Sequence, residues 1–287
     1  MAGKLYLCAT PIGNLEDMTF RAIRILQEVD LIAAEDTRNS IKLLNHFEIH
    51  TPMTSYHEYN KYDKGRELVQ KLLAGTNIAL ITDAGTPGIS DPGEELVKMA
   101  YEAGIEVTSL PGACACVTAT DTVGTFNEKI CLRSISSSRI KKEHKLALER
   151  LKNETRTMIV YEAPHHLLKT LRELLETLGN RRLTLCRELT KKHETAWQTT
   201  IEDAITRYEQ EDPKGECVLV IEGRSQKEIE DEAKAAFEEI SIEEHMKRYE
   251  DQGIARKEAM KLVAKDRGVT KRDIYQYLLG KESYNDF

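Results

Sequence analysis

Along residues 4–112 short apolar runs alternate with stretches of helical periodicity, and this alternation limits the possible folds more than any other feature of the chain. "KLYLCAT", "DLIAAED", "NIALITD" and "IEVTSLPG" read as strands, and helices are expected over about 18–28, 38–47, 63–74 and after Asp91. Such alternation indicates a mostly parallel sheet with helices on its faces. Ligands of these sheets lie beyond the carboxyl ends of the strands. Two loops rich in glycine and proline fall there: "ATPIGNL" (9–15) and "TDAGTPGISDPG" (82–93). The second matches neither a Gly-x-Gly-x-x-Gly fingerprint nor a phosphate-cradling Gly-Lys-Ser/Thr loop, so the usual nucleotide readings fail. Asp91 is expected to cap the helix that follows, with Pro92 at its first position and Glu94 three residues beyond Asp91.

The alternation resumes in "RTMIVYEAP" (156–164), the helical "HHLLKTLRELLETLG", "RRLTLCREL" (181–189) and "GECVLVIEG" (215–223), which read as a second α/β unit. Between the two units, residues 114–145 begin helix-like and end in a Ser-rich basic stretch that reads as loop. After Gly223 only helical patterns remain: 226–239, a helix opened by the capping box "SIEE" (241–244) and ending near Gly253, then about 255–266 and, after a Thr270 cap, 271–279. The expected organisation is therefore an N-terminal α/β domain over 1–117, a second over 118–224 and a helical module over 225–287. The short helices at the end have the spacing of a helix-turn-helix, with Lys257, Lys261, Lys265, Lys271 and Arg272 as phosphate contacts; the competing reading is a small appendage or dimer contact.

At 287 residues and 40% apolar content, the chain can supply two ordinary cores. No apolar run reaches the length of about 18 residues needed to span a membrane, and "MAGKLYLCAT" enters a strand pattern directly. A cytoplasmic location without membrane contact is expected. The six cysteines sit mostly in apolar runs and form no Cys-x-x-Cys pair, so reduced buried thiols are expected and no metal site. The net charge of −7 hides an uneven distribution: −6 over 1–138, +7 over 139–192, −9 over 193–240 and +1 over 241–287. The basic block reads either as a phosphate-binding face or as a solvated surface.

Three turns at strand ends, "ATPIGNL", "DAGTPG" and "LPGA", share a physical consequence. Proline sets the local path, glycine removes side-chain obstruction, and free amide and carbonyl groups are left to hydrogen-bond a polar small molecule. Taken in order with "LYLCATPIGNLEDMTFRAIRIL", "DLIAAEDTR", "SYHEYN", "LPGACACVTA", "YEAPHH" and "RELTKKHE", they resemble the ribosomal RNA small subunit methyltransferase I family of the tetrapyrrole-methylase superfamily, over roughly residues 4–224 and into the helical tail. The resemblance implies two α/β domains with S-adenosylmethionine bound in the cleft between them. It also implies methyl transfer to the ribose 2′-hydroxyl of a cytidine in 16S small-subunit ribosomal RNA, free or in an assembled small subunit, by a homodimer. By superfamily position, Pro11, Asp83, Ala84, Gly85, Thr86, Pro111, Gly112, Ala113, Tyr161, Glu162 and Ala163 would hold the cofactor, mostly through backbone groups.

For the transfer itself, a sulfonium methyl needs mainly an acceptor oxygen held in line. A carboxylate or imidazole that takes the hydroxyl proton would help by about 10²–10⁴-fold. Glu35 and Asp36 are the candidates, with His57 and Glu58 as alternatives, and Asp36 or Thr37 can equally be a cap on the next helix. Arg38, Arg187 and Lys191 would position phosphates, together with Lys141, Lys142 and Lys145 of the basic block. Two rival readings are a methylase of the same superfamily acting on a precorrin or porphyrin, against which the basic block weighs, and a ligand-responsive regulator that uses the terminal helices on nucleic acid.

Overall fold

The computed structural model of the chain describes residues 1–89, 91–124, 129–133 and 141–282. They form two compact units, one of residues 1–151 with 156–222 and one of 152–155 with 223–287.

The first sheet contains strands β1 (Leu5–Cys8), β2 (Leu31–Ala34), β3 (Met53–Ser55), β4 (Ile78–Ile81) and β5 (Val107–Leu110), in the order β3-β2-β4-β1-β5 with every neighbour parallel. Helices α1 (Phe20–Glu28) and α2 (Thr37–His46) bury Ala22, Ile25, Leu26 and Leu44 against one face, where Ala79 and Ile81 point. Helices α3 (Lys61–Leu73) and α4 (Gly93–Glu102) bury Leu68, Leu72, Leu96 and Ala100 against the other, where Ile78 and Leu80 point. Because both faces are covered, β4 is apolar at every position rather than alternating, and each large side chain so buried contributes about 1.5–3 kcal/mol relative to exposure. The chain leaves β1 through α1 towards β2 and leaves β4 through α4 towards β5, on the opposite side. Because α1 and α4 lie on opposite faces, the connections leave the neighbouring strands β1 and β4 on opposite faces of the sheet, which opens a crevice at their carboxyl ends.

The second sheet departs from the expected repetition of the first. It contains β6 (Ile130–Arg133), β7 (Thr157–Glu162), β8 (Arg182–Arg187), β9 (Thr195–Thr200) and β10 (Cys217–Ile221), in the order β6-β7-β10-β8-β9, and only β6 and β7 run parallel. The seven-residue link from β8 to β9 is too short for a parallel crossover, which takes a dozen residues or more. Strands β3, β6 and β9 carried no usable apolar signal: β3 has three residues, β6 borders the Ser-rich stretch, and β9 is a largely exposed polar edge, "TAWQTT". After α5 (Ala115–Asp121) and α6 (Lys141–Glu149), helices α7 (Pro164–Leu178) and α8 (Ile201–Tyr208) cover one face of this sheet through Leu167, Leu171, Leu174, Ile201 and Ala204. The other face packs Ile159, Cys186, Val218 and Val220 against Cys116 and Ala119 of α5 and against Ile12 from the turn after β1. One apolar cluster thus joins the first turn to the second sheet.

The other unit is helical, with α9 (Gln226–Glu238), α10 (Ile242–Glu250), α11 (Arg256–Arg267) and α12 (Lys271–Glu282) around Met246, Ala259, Val263 and Ile274. The reciprocal capping box forms at Ser225 and Glu228, not at Ser241. Ser241 accepts from the Glu244 N–H at 3.1 Å, but the Glu244 carboxylate pairs with Arg248 at 3.0 Å, one turn along its own helix. Thr270 accepts from the Asp273 N–H at 3.3 Å, as a cap of α12 should.

Candidate functional site

The three glycine and proline turns are tied to one another. Thr10 and Gly85 form an antiparallel bridge, each N–H donating to the other's carbonyl, at 2.9 and 3.0 Å. Thr10 Oγ1 donates to the Thr82 carbonyl at 3.1 Å, and Thr86 Oγ1 donates to the Ala113 carbonyl at 3.0 Å. The third turn returns against the first at Gly112, where any Cβ would stand 2.6 Å from the Cβ of Ala9. Gly85 has φ of +86°, a conformation L side chains rarely adopt, so glycine here is a backbone requirement. The loop is closed by Asp91, whose carboxylate accepts from the N–H groups of Gly88 and Gly93, both at 2.8 Å. Helix α4 consequently starts one residue later than expected: Pro92 is its N-cap, and Asp91 serves both the loop and the first helical N–H.

The opposite wall comes from the second sheet. The Tyr161 hydroxyl accepts from the Cys116 N–H at 2.9 Å, and burial pushes its phenol up, so it stays protonated. Glu162 Oε1 accepts from the Ala163 N–H at 2.9 Å and Oε2 from the Thr170 hydroxyl at 2.5 Å, which fixes the orientation of this carboxylate at the start of α7. Glu188 accepts from Lys191 Nζ at 3.0 Å and from the Glu216 N–H at 3.2 Å, and Lys191 lowers its pKa. Its backbone has φ of +50° and that of Thr190 +65°. Such conformations in residues other than glycine cost free energy and concentrate at functional sites.

Between these walls lies a cavity of about 370 Å³, within the size range of small-molecule sites. Of the residues proposed from sequence for the cofactor, Ala84, Gly85, Thr86, Tyr161, Glu162 and Ala163 line it. Pro11, Asp83, Pro111, Gly112 and Ala113 do not; Pro11, Asp83 and Ala113 flank lining residues, with Pro11 buried and Pro111, Gly112 and Asp83 exposed. The cavity also takes in Ile12, Thr82, Cys114, Ala115, Glu188, Leu189, Glu216, Cys217 and Val218, which the sequence did not single out for the cofactor, and Asp91, which it assigned only as a helix cap. Glu188 lies inside the quoted "RELTKKHE", so its motif was visible even though its role was not. Five carboxylates (Glu35, Asp91, Glu162, Glu188 and Glu216) face the cavity with one ammonium, Lys191, which is held by Glu188 and by Glu216 at 3.4 Å. The balance favours a cation.

The "AEDTR" cluster divides. Glu35 lines the cavity and accepts from the Thr82 hydroxyl at 2.6 Å, its single hydrogen bond among the described residues. Asp36 does not line it. Its side chain caps α2, accepting from the Arg38 N–H at 2.8 Å and from the Arg38 guanidinium at 3.1 and 2.7 Å. The Asp36 N–H and the Asn39 side chain both donate to Asp83, at 3.2 Å each. His57 and Glu58 lie outside the cavity lining, the latter paired with Lys61. Arg187 is also outside the lining, with Nε buried and unpartnered among the described residues. Lys145 is exposed on α6; Lys141 and Lys142 begin that helix but their side chains, like residues 134–140, fall outside the described residues.

The hydrogen bonds from Arg38 hold the Asp36 pKa down to about 2, below the ordinary 3.8. A depressed carboxylate contributes stability that is present above about pH 4 and is lost as pH falls through about 2. Asp36→Asn should flatten the acid limb of the stability curve in that window and change little near neutrality, because asparagine caps nearly as well. Urea unfolding midpoints measured from pH 2 to 7 check this.

A family model for tetrapyrrole (corrin/porphyrin) methylases matches residues 4–205. A protein of Halalkalibacterium halodurans named ribosomal RNA small subunit methyltransferase I is 50% identical over 273 residues, covering 95% of this chain and 93% of its own. One of the same name from Synechocystis is 46% identical over 282 residues, covering 98% and 99%. Among solved structures, the uroporphyrin-III C-methyl transferase of Thermus thermophilus complexed with S-adenyl homocysteine superposes with a TM-score of 0.55 at 18% identity, over 76% of this chain and 97% of its own. The methyltransferase CobJ gives 0.59 at 18% identity, over 77% and 95%. The fold is the one these structures share.

Proposed function

The chain belongs to the ribosomal RNA small subunit methyltransferase I family of tetrapyrrole methylases, and on that premise we propose that it methylates a ribose 2′-hydroxyl of a cytidine in small-subunit ribosomal RNA, with S-adenosylmethionine as methyl donor. The observation that carries the reading is the cavity between the stitched turns and the second sheet. Its volume suits the donor, Gly85 presents no side chain to it, and its carboxylate-rich lining suits a sulfonium cation. S-adenosylmethionine supplies a methyl group already activated for displacement. What remains for the chain is to hold donor and acceptor in line and to keep water away.

In this reading Ala84, Gly85, Thr86, Tyr161, Glu162 and Ala163 contact the donor, while Pro11, Pro111, Gly112 and Ala113 set the path of the turns. Asp83 braces the start of α2 against the second turn. Glu35, with carboxylate capacity left over beyond its bond to Thr82, accepts the proton of the ribose hydroxyl. Asp36 and Arg38 shape the rim, Lys191 belongs to the wall beside Glu216, and Arg187, Lys141, Lys142 and Lys145 supply phosphate contacts. A homodimer in the cytoplasm, acting on the RNA or the assembled small subunit, completes the proposal. Among the described residues no helix is long and apolar enough to cross a membrane.

The direct test is transfer of labelled methyl from S-adenosylmethionine to small subunits that lack the modification, followed by mapping of the labelled nucleotide. Label on a cytidine 2′-oxygen is the expected outcome; label on a base, or none, overturns the proposal. RNA engagement should also depend on salt. Replacing Lys141, Lys142 and Lys145 with alanine should weaken RNA binding by about tenfold or more near physiological salt and flatten the salt slope, because fewer counterions are released. Cofactor affinity should hold. Titrations at several salt concentrations check this, and equal slopes for parent and variant would remove the block from the interface.

A further inference from the structure

We propose that Cys114 and Cys116 are an oxidisable dithiol on the cavity wall, converted by a hydroperoxide to a disulfide and restored by a thiol reductant. The two Sγ atoms stand 3.4 Å apart. A disulfide bond of about 2.05 Å thus requires an approach of only about 1.4 Å. Cys114 lines the cavity and is half-buried, so a small oxidant can reach it, whereas Cys116 is 9% exposed and faces inward on α5. The remaining cysteines, Cys8, Cys131, Cys186 and Cys217, are buried.

The environment also assigns the two roles. The adjoining Cys116 thiol, and to a lesser degree the nearby N–H groups of Val117 and Cys116, hold the pKa of Cys114 below the ordinary thiol value, and its place on the cavity wall makes it the nucleophile. The same contact, with burial, pushes Cys116 up, so it keeps its proton until the second step. In the first step the Cys114 thiolate attacks the hydroperoxide: an S–O bond forms, the O–O bond breaks, and the departing alkoxide takes a proton from water. In the second, the Cys116 sulfur attacks the sulfenic sulfur: the S–S bond forms, the S–O bond breaks, and water leaves with the Cys116 proton. Two thiols lose two electrons and one hydroperoxide gains them, giving alcohol and water.

Closure cannot leave the wall unchanged. The Cys114 carbonyl is fixed by the N–H and hydroxyl of Thr118, both at 3.0 Å, and the Cys116 N–H is bonded to the Tyr161 hydroxyl. Bringing the sulfurs together withdraws Cys114 from the cavity or pulls Cys116 from Tyr161, and both Cys114 and Tyr161 line the cavity. If the function proposed above holds, the disulfide form binds S-adenosylmethionine more weakly.

The test treats the reduced full-length protein with hydrogen peroxide and reads the tryptic peptide 99–129, in which Cys114 and Cys116 are the only cysteines. The expected product is that peptide lighter by two hydrogens and restored by dithiothreitol. Cys116→Ser should instead accumulate a sulfenic acid on Cys114, trapped by dimedone, that forms about tenfold faster than at an ordinary cysteine at pH 7, and Cys114→Ser should give neither product. A peptide that keeps both free thiols, or a disulfide joining Cys114 to any other cysteine, overturns the proposal. Calorimetric titration with S-adenosylmethionine then compares reduced and oxidised protein, and about a tenfold loss of affinity on oxidation, reversed by dithiothreitol, is expected. Equal affinities overturn the effect on the cavity. Absence of binding by the reduced protein would overturn the proposed function, while the peptide masses would still decide the dithiol.

Discussion

Gly85→Val is expected to abolish S-adenosylmethionine binding at concentrations where the parent is saturated, a loss of about a hundredfold or more in affinity. Two effects combine. A Cβ at this position meets the Cγ2 of Ile12 at 3.3 Å and the Ala113 carbonyl oxygen at 3.6 Å, and the γ-methyls of valine extend beyond it into a part of the cavity lined by Ile12 itself. The φ of +86° adds strain of about 1–2 kcal/mol for any L side chain, more for a β-branched one. Relief of that strain means turning the peptide, which breaks the bridge to Thr10 that joins the first two turns. Gly85→Ala separates the contributions. It retains the φ strain and adds a Cβ with one tight contact, 3.3 Å to the Ile12 side chain, which can yield by a few tenths of an ångström, so it should lose stability by at least a similar 1–2 kcal/mol and keep measurable affinity. Calorimetric titration beside thermal unfolding makes the comparison; unchanged affinity in a folded Gly85→Val protein would remove this turn from the donor site.

The second large effect is expected at Glu35. Glu35→Gln keeps shape and can still accept a hydrogen bond from the Thr82 hydroxyl, but it cannot take a proton from the acceptor ribose. Single-turnover methyl transfer should fall by about 10²–10⁴-fold while cofactor and RNA affinities change little. Asp36→Asn should stay near the parental rate, because Asp36 is occupied as the cap of α2 and by its two-pronged contact with Arg38, outside the cavity. The contrast between adjacent carboxylates is the informative part of the experiment. Equal losses in both variants would mean that the cluster acts as a unit through its backbone, and parental rates in both would leave proton acceptance to water. Thr82→Val supplies an intermediate case: it removes the hydroxyl that orients Glu35 without removing the carboxylate, so it should slow transfer less than Glu35→Gln does.

Much of the architecture was legible because it rests on local regularities. The apolar runs at β1, β2, β4 and β5 and the helical periods between them follow from burial on both faces of a parallel sheet, and their positions agree with the structure to within a few residues. The two turns at the divergence of β1 and β4 were legible for the same reason, since chain order alone places them beyond the carboxyl ends of those strands. Glycine and proline content then indicated close backbone approach to a ligand; the positive φ of Gly85 shows that this turn needs glycine, while its N–H and carbonyl are paired with Thr10. The family resemblance rested on the same motifs and is upheld by relatives that match over nearly the whole chain.

Pairing partners and side-chain occupancy were decided only in three dimensions. No pattern in "GECVLVIEG" says that β10 runs antiparallel between β7 and β8, yet this reversal brings its amino-terminal residues, Glu216 and Cys217, beside the carboxyl ends Glu162 and Arg187 and so into the site. A central buried strand is apolar in either direction, so hydrophobicity carries no sign of orientation. The same holds within "AEDTR", where Glu35 and Asp36 are equivalent as letters. One faces the cavity and the other caps a helix because successive side chains at a strand end point to opposite sides and the helix that follows claims the second. Sequence determined which residue types stand at the mouth of the sheet, through periodicity and turn chemistry. Tertiary structure decided which of them face the ligand and which are spent on one another, because that choice depends on contacts between segments as far apart as Glu35 and Thr82, or Cys116 and Tyr161.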